Sequence, residues 1–242
     1  MSGSEFAQLH RAGEPLVLPN AWDVASARAL VAAGFAAVGT TSLGVAAGHG
    51  VPDGEGAAVD ATLRLVGRLS SLPVFVSADI ERGSVAAASA VAEAGGAGVN
   101  VEDGLAEPSA HARLIRDIKR AVPGLFVNAR TDTHWLRAGD VREAVRRARM
   151  YQDAGADGVF VPGMSDRSEI SEIVEALAVP LNVLALPSGP SVRELAALGV
   201  ARVSMGSLLF RASLAAVVET ATAVRDGGAV RADLPSYQDV NG

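Results

Sequence analysis

The chain has 242 residues, 49% of them hydrophobic, 20% charged and 4% aromatic, with a formal net charge of −6 and no cysteine. This length buries a large core and fits an α/β domain, while the lack of cysteine excludes disulfides, thiolate metal sites and a cysteine nucleophile. The negative balance argues against a nucleic-acid or anionic-membrane partner, and with no bilayer-length apolar run and no N-terminal signal pattern, a cytoplasmic protein is expected.

In chain order, short apolar runs predict strands at 16–19, 36–41, 73–78, 97–101, 125–130, 157–161, 181–185 and 201–204. Between them, Ala-rich stretches with helical periodicity predict helices at 24–33, 57–70, 85–94, 109–121, 140–154, 167–177 and 191–198, and a last one at 207–226. Gly34, Gly95, Gly155 and Gly199 each precede an apolar run and fit left-handed helix C-caps. Eight strands, each followed by a helix, is the pattern of a single (β/α)8 TIM-type barrel over residues 1–242. The polar tail from Leu234 to Gly242 is expected to fray or to pack on a neighbouring subunit.

In such a barrel the active site lies at the C-terminal ends of the strands, so the residues that close each run become candidates. The first run delivers Pro19-Asn-Ala-Trp22-Asp23, and the second ends in Thr40-Thr41-Ser42-Leu43-Gly44. Small residues and backbone N–H groups there suit an anion. The third run ends in Asp79-Ile-Glu81, the fourth in Asn100-Val-Glu102-Asp103 and the fifth in Asn128-Ala-Arg130-Thr-Asp132. Residues i and i+2 on a strand share a face, so Asp79 and Glu81, with Glu102 from the next strand, can form a hard-oxygen site for Mg²⁺ or Mn²⁺. The alternative is that these acids cap helices or pair with arginines such as Arg82.

Arg130 can grip a carboxylate or phosphonate in bidentate fashion, or pair with Asp132 or Glu102. The loop after Gly44 carries glycines at 48, 50, 54 and 56 and suits a mobile lid. Asp53, in its Pro-Asp-Gly turn, is by default a turn residue. His10, His49, His111 and His134 have no metal-ligand spacing; His134-Trp135 either borders the site or packs a loop. Phosphate-binding glycine loops and the nucleophile-elbow motif are absent.

Taken together, Pro19-Asn-Ala-Trp-Asp23, Gly39-Thr-Thr-Ser-Leu-Gly44, Val51-Pro-Asp-Gly54, Ala78-Asp-Ile-Glu-Arg-Gly83, Asn100-Val-Glu-Asp103, Asn128-Ala-Arg-Thr-Asp132 and Ala154-Gly-Ala-Asp-Gly158 resemble the isocitrate lyase and phosphoenolpyruvate mutase superfamily, over about residues 16–210. The resemblance implies a (β/α)8 barrel that binds Mg²⁺ (or Mn²⁺) and cleaves or forms C–C or C–P bonds beside a 2-oxo acid through an enolate. It implies Asp79, Glu81 and Glu102 around the metal, with Glu81 in place of an aspartate. It also implies Arg130 on the substrate, Thr41, Ser42 and Leu43 at the substrate carboxylate, Trp22 as a further substrate-binding residue, and Asp53 as the gating-loop aspartate near the reacting centre. Homo-oligomers, dimers or tetramers built by C-terminal helix exchange, are implied as well.

This sequence departs from the family after Glu102. Where the lyase branch carries Lys-Lys-Cys-Gly-His and the mutase branch a lysine-bearing loop, it has Glu102-Asp-Gly-Leu-Ala-Glu-Pro-Ser-Ala-His111. The first expectation is therefore a Mg²⁺-dependent lyase or decarboxylase of a small 2-oxo or 2-hydroxy acid. A C–P bond enzyme and a 2-oxo-acid-binding protein with reduced catalysis are the alternatives.

Overall fold

The computed structural model describes residues 2–241. Its elements are α1 (Gly3–Ala7), β1 (Leu16–Leu18), β2 (Asn20–Ala21), α2 (Val24–Ala32), β3 (Ala37–Thr40), α3 (Ser42–Gly48), α4 (Val59–Leu69), β4 (Phe75–Asp79), α5 (Val85–Glu93), β5 (Gly98–Glu102), α6 (Pro108–Ala121), β6 (Phe126–Arg130), α7 (Val141–Asp153), β7 (Gly158–Val161), α8 (Arg167–Ala176), β8 (Leu181–Leu184), α9 (Val192–Ala197), β9 (Arg202–Ser204), α10 (Leu208–Arg225) and α11 (Tyr237–Asn241). Every strand pairing is parallel, in the order β1-β9-β8-β7-β6-β5-β4-β3-β2. β1 and β2 are two halves of one stave. Pro19 separates them because it has no N–H to give the ladder, though its carbonyl still accepts from Gly39 N–H at 2.8 Å. The first half pairs with β9 and the second with β3, so the sheet closes into the expected (β/α)8 barrel.

The expected strands and helices are present within a residue or two at each edge. Gly34, Gly95, Gly155 and Gly199 all have positive φ, as helix C-caps require. Three helices lie outside the expected set: α1, α3 and α11. Residues 42–48, read as strand end and loop, form α3, whose first turn is capped by Thr41 Oγ1 accepting from Gly44 N–H. The tail forms α11, with Tyr237 exposed; Gly242 lies outside the described residues. Among the described residues no helix is long and apolar enough to cross a membrane.

Alternation along the staves divides two environments. Val76, Val99, Val101, Val127, Val159, Val161 and Val183 are buried in the layer beneath the helices. The opposite face carries Ser77, Asn100, Asn128, Asn182 and Arg202, all buried. A polar middle layer is unusual for this architecture, whose interior is mostly filled by branched apolar side chains.

The N-terminal end of the barrel is plugged by α1. Ser2 and Glu5 form a capping box that starts this helix. Phe6 then packs edge-on against Phe126 at 5.4 Å and near Phe75 at 5.8 Å, while His10 stacks on Phe126 at 4.3 Å. The approach is close: a Cβ on Gly3 would stand 2.0 Å from the Gly124 carbonyl oxygen.

Phe6 is fully buried in this plug, so Phe6→Ala should cost about 3–5 kcal/mol in denaturant unfolding. An unchanged midpoint would mean that the plug adds nothing to the barrel.

Candidate active site

At the C-terminal ends of the staves lies a cavity of about 330 Å³. Asp79, Glu81, Glu102, Arg130 and Asp132 line it from β4 to β6, Thr41, Ser42 and Leu43 from the start of α3, and Asp53 and Gly54 from the loop before α4. Trp135, Phe160, Pro162 and Leu184 supply its apolar wall. A more open depression on the outside of the barrel, between α6 and α7, is framed by Arg116, Arg142, Arg146 and Arg149 and contains no strand-end residue.

Ladder register sets the central pairs. Asp79 stands beside Asn100, and Glu102 beside Arg130. Arg130 Nη1 reaches Glu102 Oε2 at 2.9 Å, and its Nε donates to Asp132 Oδ1 at 2.7 Å. Both of the alternative salt bridges anticipated for Arg130 therefore exist, while the guanidinium still faces the cavity, 5.9 Å from the Phe160 ring centre. Burial opposes its charge, but Glu102, Asp132 and Asp79 outweigh burial and hold it firmly protonated.

The acids experience the opposite balance. Burial pushes Asp79 above the usual carboxylate range; Arg130 opposes this and Asp53 adds to it. Burial pushes Glu102 up to about 7, Arg130 opposing and Asp79, Asp132 and Glu81 reinforcing. These carboxylates have too little positive charge nearby, and a divalent cation would correct that. Among the described residues no three acidic or histidine side chains close into a preformed cage. Mg²⁺ does not need one, since it keeps several waters and uses one or two carboxylates together with substrate oxygens. Asp79 and Glu102 fit that description.

Three placements differ from the sequence reading. Glu81 lines the cavity, but β4 ends at Asp79 and Glu81 has a φ of +55°, so the i, i+2 rule no longer aims it alongside Asp79. Its Oε2 accepts instead from the N–H of Gly56 at 2.7 Å. Trp22 does not reach the cavity. The chain turns directly into α2 at Asp23, whose carboxylate caps that helix, and Trp22 packs edge-on against Phe210 at 5.4 Å. Thr41 lines the wall with its hydroxyl oxygen engaged as the α3 cap, so it is Ser42 and Leu43, in the first helical turn, whose N–H groups lack intrahelical partners.

Other residues proved to matter. Asn20 ties the first stave to the last, its Oδ1 accepting from Met205 and Gly206 N–H at 2.9 and 2.8 Å. Asn100 Oδ1 accepts from Asn128 Nδ2 at 2.8 Å and Arg202 Nη2 at 3.2 Å, which leaves its NH₂ as the group it can offer the cavity. Arg202 is fully buried and its Nε and Nη1 have no partner among the described residues. Burial pushes it down to about 9 while Asp79 opposes the fall, so at neutral pH it remains a cation beneath the acids.

Asp103 is the anchor of the β5 and β6 ends. Its Oδ1 accepts from Leu105 and Asp132 N–H, and its Oδ2 from Arg147 Nη1 at 2.9 Å and Tyr151 Oη at 2.6 Å. Burial pushes Asp103 up, but these donors win and hold it below the usual range. The connection from Asp103 to α6 is consequently a tight turn, with Gly104 and Leu105 at φ +50° and +58°, and carries neither lysine nor cysteine.

A family model described as phosphoenolpyruvate phosphomutase matches residues 6–225. An uncharacterized protein of Mycobacterium tuberculosis is 46% identical over 239 residues, 95% of this chain and 92% of that one. Oxaloacetate decarboxylase of Pseudomonas aeruginosa is 30% identical over 195 residues, 72% of this chain and 66% of the decarboxylase. Among solved structures, phosphoenolpyruvate phosphomutase from Streptomyces platensis superimposes with a TM-score of 0.88 at 25% identity, covering 99% of this chain and 94% of that one. Phosphonopyruvate hydrolase in complex with oxalate and Mg²⁺ gives 0.84 at 25% identity, covering 98% and 93%.

Asp103→Ala should cost about 3–5 kcal/mol in chemical denaturation, because it strands the buried Arg147 and Tyr151 donors; a loss near zero would contradict the anchoring role. The acid pair makes a second prediction. Glu102 is protonated below about 7 in the metal-free protein and must ionise to take a cation. Mg²⁺ affinity should therefore fall about tenfold per pH unit below that point, level off above it, and be accompanied by proton release. Calorimetry in buffers of different ionisation enthalpy measures both; a pH-independent affinity would contradict the assignment.

Proposed function

We propose, from the premise that this chain belongs to the phosphoenolpyruvate phosphomutase family, that it is a divalent-metal-dependent lyase. It breaks a C–C bond beside the 2-oxo group of a small dicarboxylate, and decarboxylation is the reaction that its cavity suits best. The observation that carries this reading is what lines the cavity: carboxylates, arginines, small polar groups and an apolar wall, without lysine, cysteine or histidine among the described residues. Retro-aldol cleavage of a 2-hydroxy acid needs a base for the hydroxyl proton, and C–P cleavage needs an acceptor for the phosphoryl group. Loss of CO₂ from a 2-oxo acid needs an electron sink, a fixed orientation and a later proton.

Asp79 and Glu102 would hold the cation, Mg²⁺ or Mn²⁺, with the Arg202 charge beneath them. A cation held there supplies a Lewis acid for the negative charge that develops on the 2-oxo oxygen. Arg130, locked by Glu102 and Asp132, presents its remaining N–H donors to a substrate carboxylate, and the N–H groups of Ser42 and Leu43 hold that end of the molecule. This fixes the scissile bond across the plane of the forming enolate. The bond's electron pair passes into that enolate as the distal carboxylate leaves as CO₂, and the enolate carbon then takes a proton. Asp53, on the loop at the mouth, is the group assigned to manage that proton. The resemblance to oxaloacetate decarboxylase supports the reading.

We propose further that the protein is a homo-oligomer, dimer or tetramer. Leu214, Val217, Val218 and Val224 of α10 are each at least half exposed, which supports self-association and is testable by sedimentation.

The enzyme with Mg²⁺ should convert oxaloacetate to pyruvate faster than Mg²⁺ alone, followed by proton NMR, and EDTA should abolish the difference. Arg130→Lys should lower turnover by about a hundredfold or more, since an ammonium cannot reproduce the planar fork. Consumption of phosphonopyruvate in phosphorus NMR with no turnover of 2-oxo dicarboxylates would replace this reading with C–P chemistry. Metal-dependent binding without turnover across the panel would mark a 2-oxo-acid-binding protein.

A further inference from the structure

The carboxylate of Glu81 is enclosed, with the residue only 4% exposed, yet it is not spent on an arginine. Its Oε2 accepts from Gly56 N–H at 2.7 Å, and the backbone of Gly54 lies close enough to favour the charge of the same carboxylate. The backbone of Glu81 is fixed from both sides. Its N–H donates to Asp79 Oδ1 at 3.2 Å, and its carbonyl accepts from Glu102 N–H at 2.8 Å. These bonds hold a non-glycine residue at φ +55°, a conformation that L side chains seldom adopt. The side chain is thereby turned from the line of β4 toward the loop.

That loop has little else to hold it. Gly50, Gly54 and Gly56 have positive φ, and a Cβ on Gly48, Gly50, Gly54 or Gly56 would meet nothing within 4 Å. Among the described residues its backbone–backbone bonds lie at its ends, Gly50 N–H to Ala47, Val51 N–H to Ala46 and Val59 N–H to Gly56. Asp53 stands at the cavity one residue from Gly54, so the position of Asp53 follows from bonds made by its neighbours.

We propose that Glu81 is a latch. It is a positioning residue that fastens the glycine-rich loop over the cavity and so sets Asp53 in place, and it does not ligate the metal. The side-chain oxygen of Glu81 is the acceptor for the loop's Gly56 N–H, a role that an amide oxygen also fills, and the extra methylene of glutamate over aspartate provides the reach to the loop. This role deepens the proposed function, because Asp53 matters only if the cavity is catalytic, but the latch itself exists or fails independently of any reaction.

The test compares Glu81→Gln with Glu81→Asp in the full chain, after circular dichroism and thermal melting confirm that each folds. Hydrogen exchange of residues 52–57, read by mass spectrometry without substrate, reports the latch, and calorimetry with Mg²⁺ reports the metal. A latch needs length and an acceptor. Glu81→Gln should retain most of the exchange protection, whereas Glu81→Asp should lose about tenfold or more through easier local opening. Both should bind Mg²⁺ within about threefold of the parent, since neither variant removes a ligand. The reverse pattern, with Mg²⁺ affinity lost in Glu81→Gln and kept in Glu81→Asp, would overturn the proposal in favour of a ligand. Unchanged exchange in both variants would overturn it as well. Failure of the decarboxylation assay alone would leave either exchange result standing.

Discussion

Carboxylates crowd a space that has too little positive charge for them, and much of the site's architecture answers that imbalance. Asp53, Asp79, Glu81, Glu102 and Asp132 line one cavity together with Arg82, Arg130 and Arg211, of which only Arg130 is enclosed. Repulsion among buried acids raises their affinity for protons or metal ions. The barrel sustains this by indirect means: Arg130 is shared between two acids, a buried guanidinium lies below, and backbone N–H groups satisfy Glu81 and Asp103. A cation held there, as proposed, would offset these charges, and such a site suits a substrate whose reaction gathers negative charge on oxygen.

The fold carries this arrangement through ladder register and through two interiors. Beneath the helices the packing is apolar; inside the barrel it is polar, with Asn100 accepting from both Asn128 and Arg202. The polar layer lets the Arg202 charge act on Asp79 from below. Asp103 locks the ends of β5 and β6 and the following turn, which fixes Glu102 against Arg130 and leaves that turn without lysine or cysteine. Chemistry is thereby left to the groups already in the cavity.

The alternation of strand and helix was legible because the periods of buried strands and amphipathic helices differ over many residues, and the strand-end acids because they interrupt apolar runs. What escaped was local geometry that such periods do not encode. Glu81 follows the i, i+2 rule only while the strand continues, and its left-handed backbone ends that. The helix α3, Ser-Leu-Gly-Val-Ala-Ala-Gly, resembles a loop by its glycines, although Thr41 ahead of it was a capping signal. The helix α1 also escaped, although the Ser2-Gly-Ser-Glu5 capping box that starts it is a pattern the sequence carries. Trp22 is drawn away from the site because α2 begins at Val24 with Asp23 as its cap, which leaves no loop to carry the indole over the cavity. Arg202, inside a three-residue strand, gave no hint of whether it faced solvent or the barrel centre.

The acid pair Asp79 and Glu102 and the guanidinium of Arg130 are proposed to form one metal-dependent site for a small 2-oxo acid. Oxalate, a planar mimic of enolpyruvate, tests it directly by calorimetric titration of the full chain with Mg²⁺ and again with EDTA. One oxalate per chain should bind with Mg²⁺, with no heat in EDTA and no binding to Glu102→Ala. Oxalate that binds equally well with EDTA, or not at all with Mg²⁺, would contradict it.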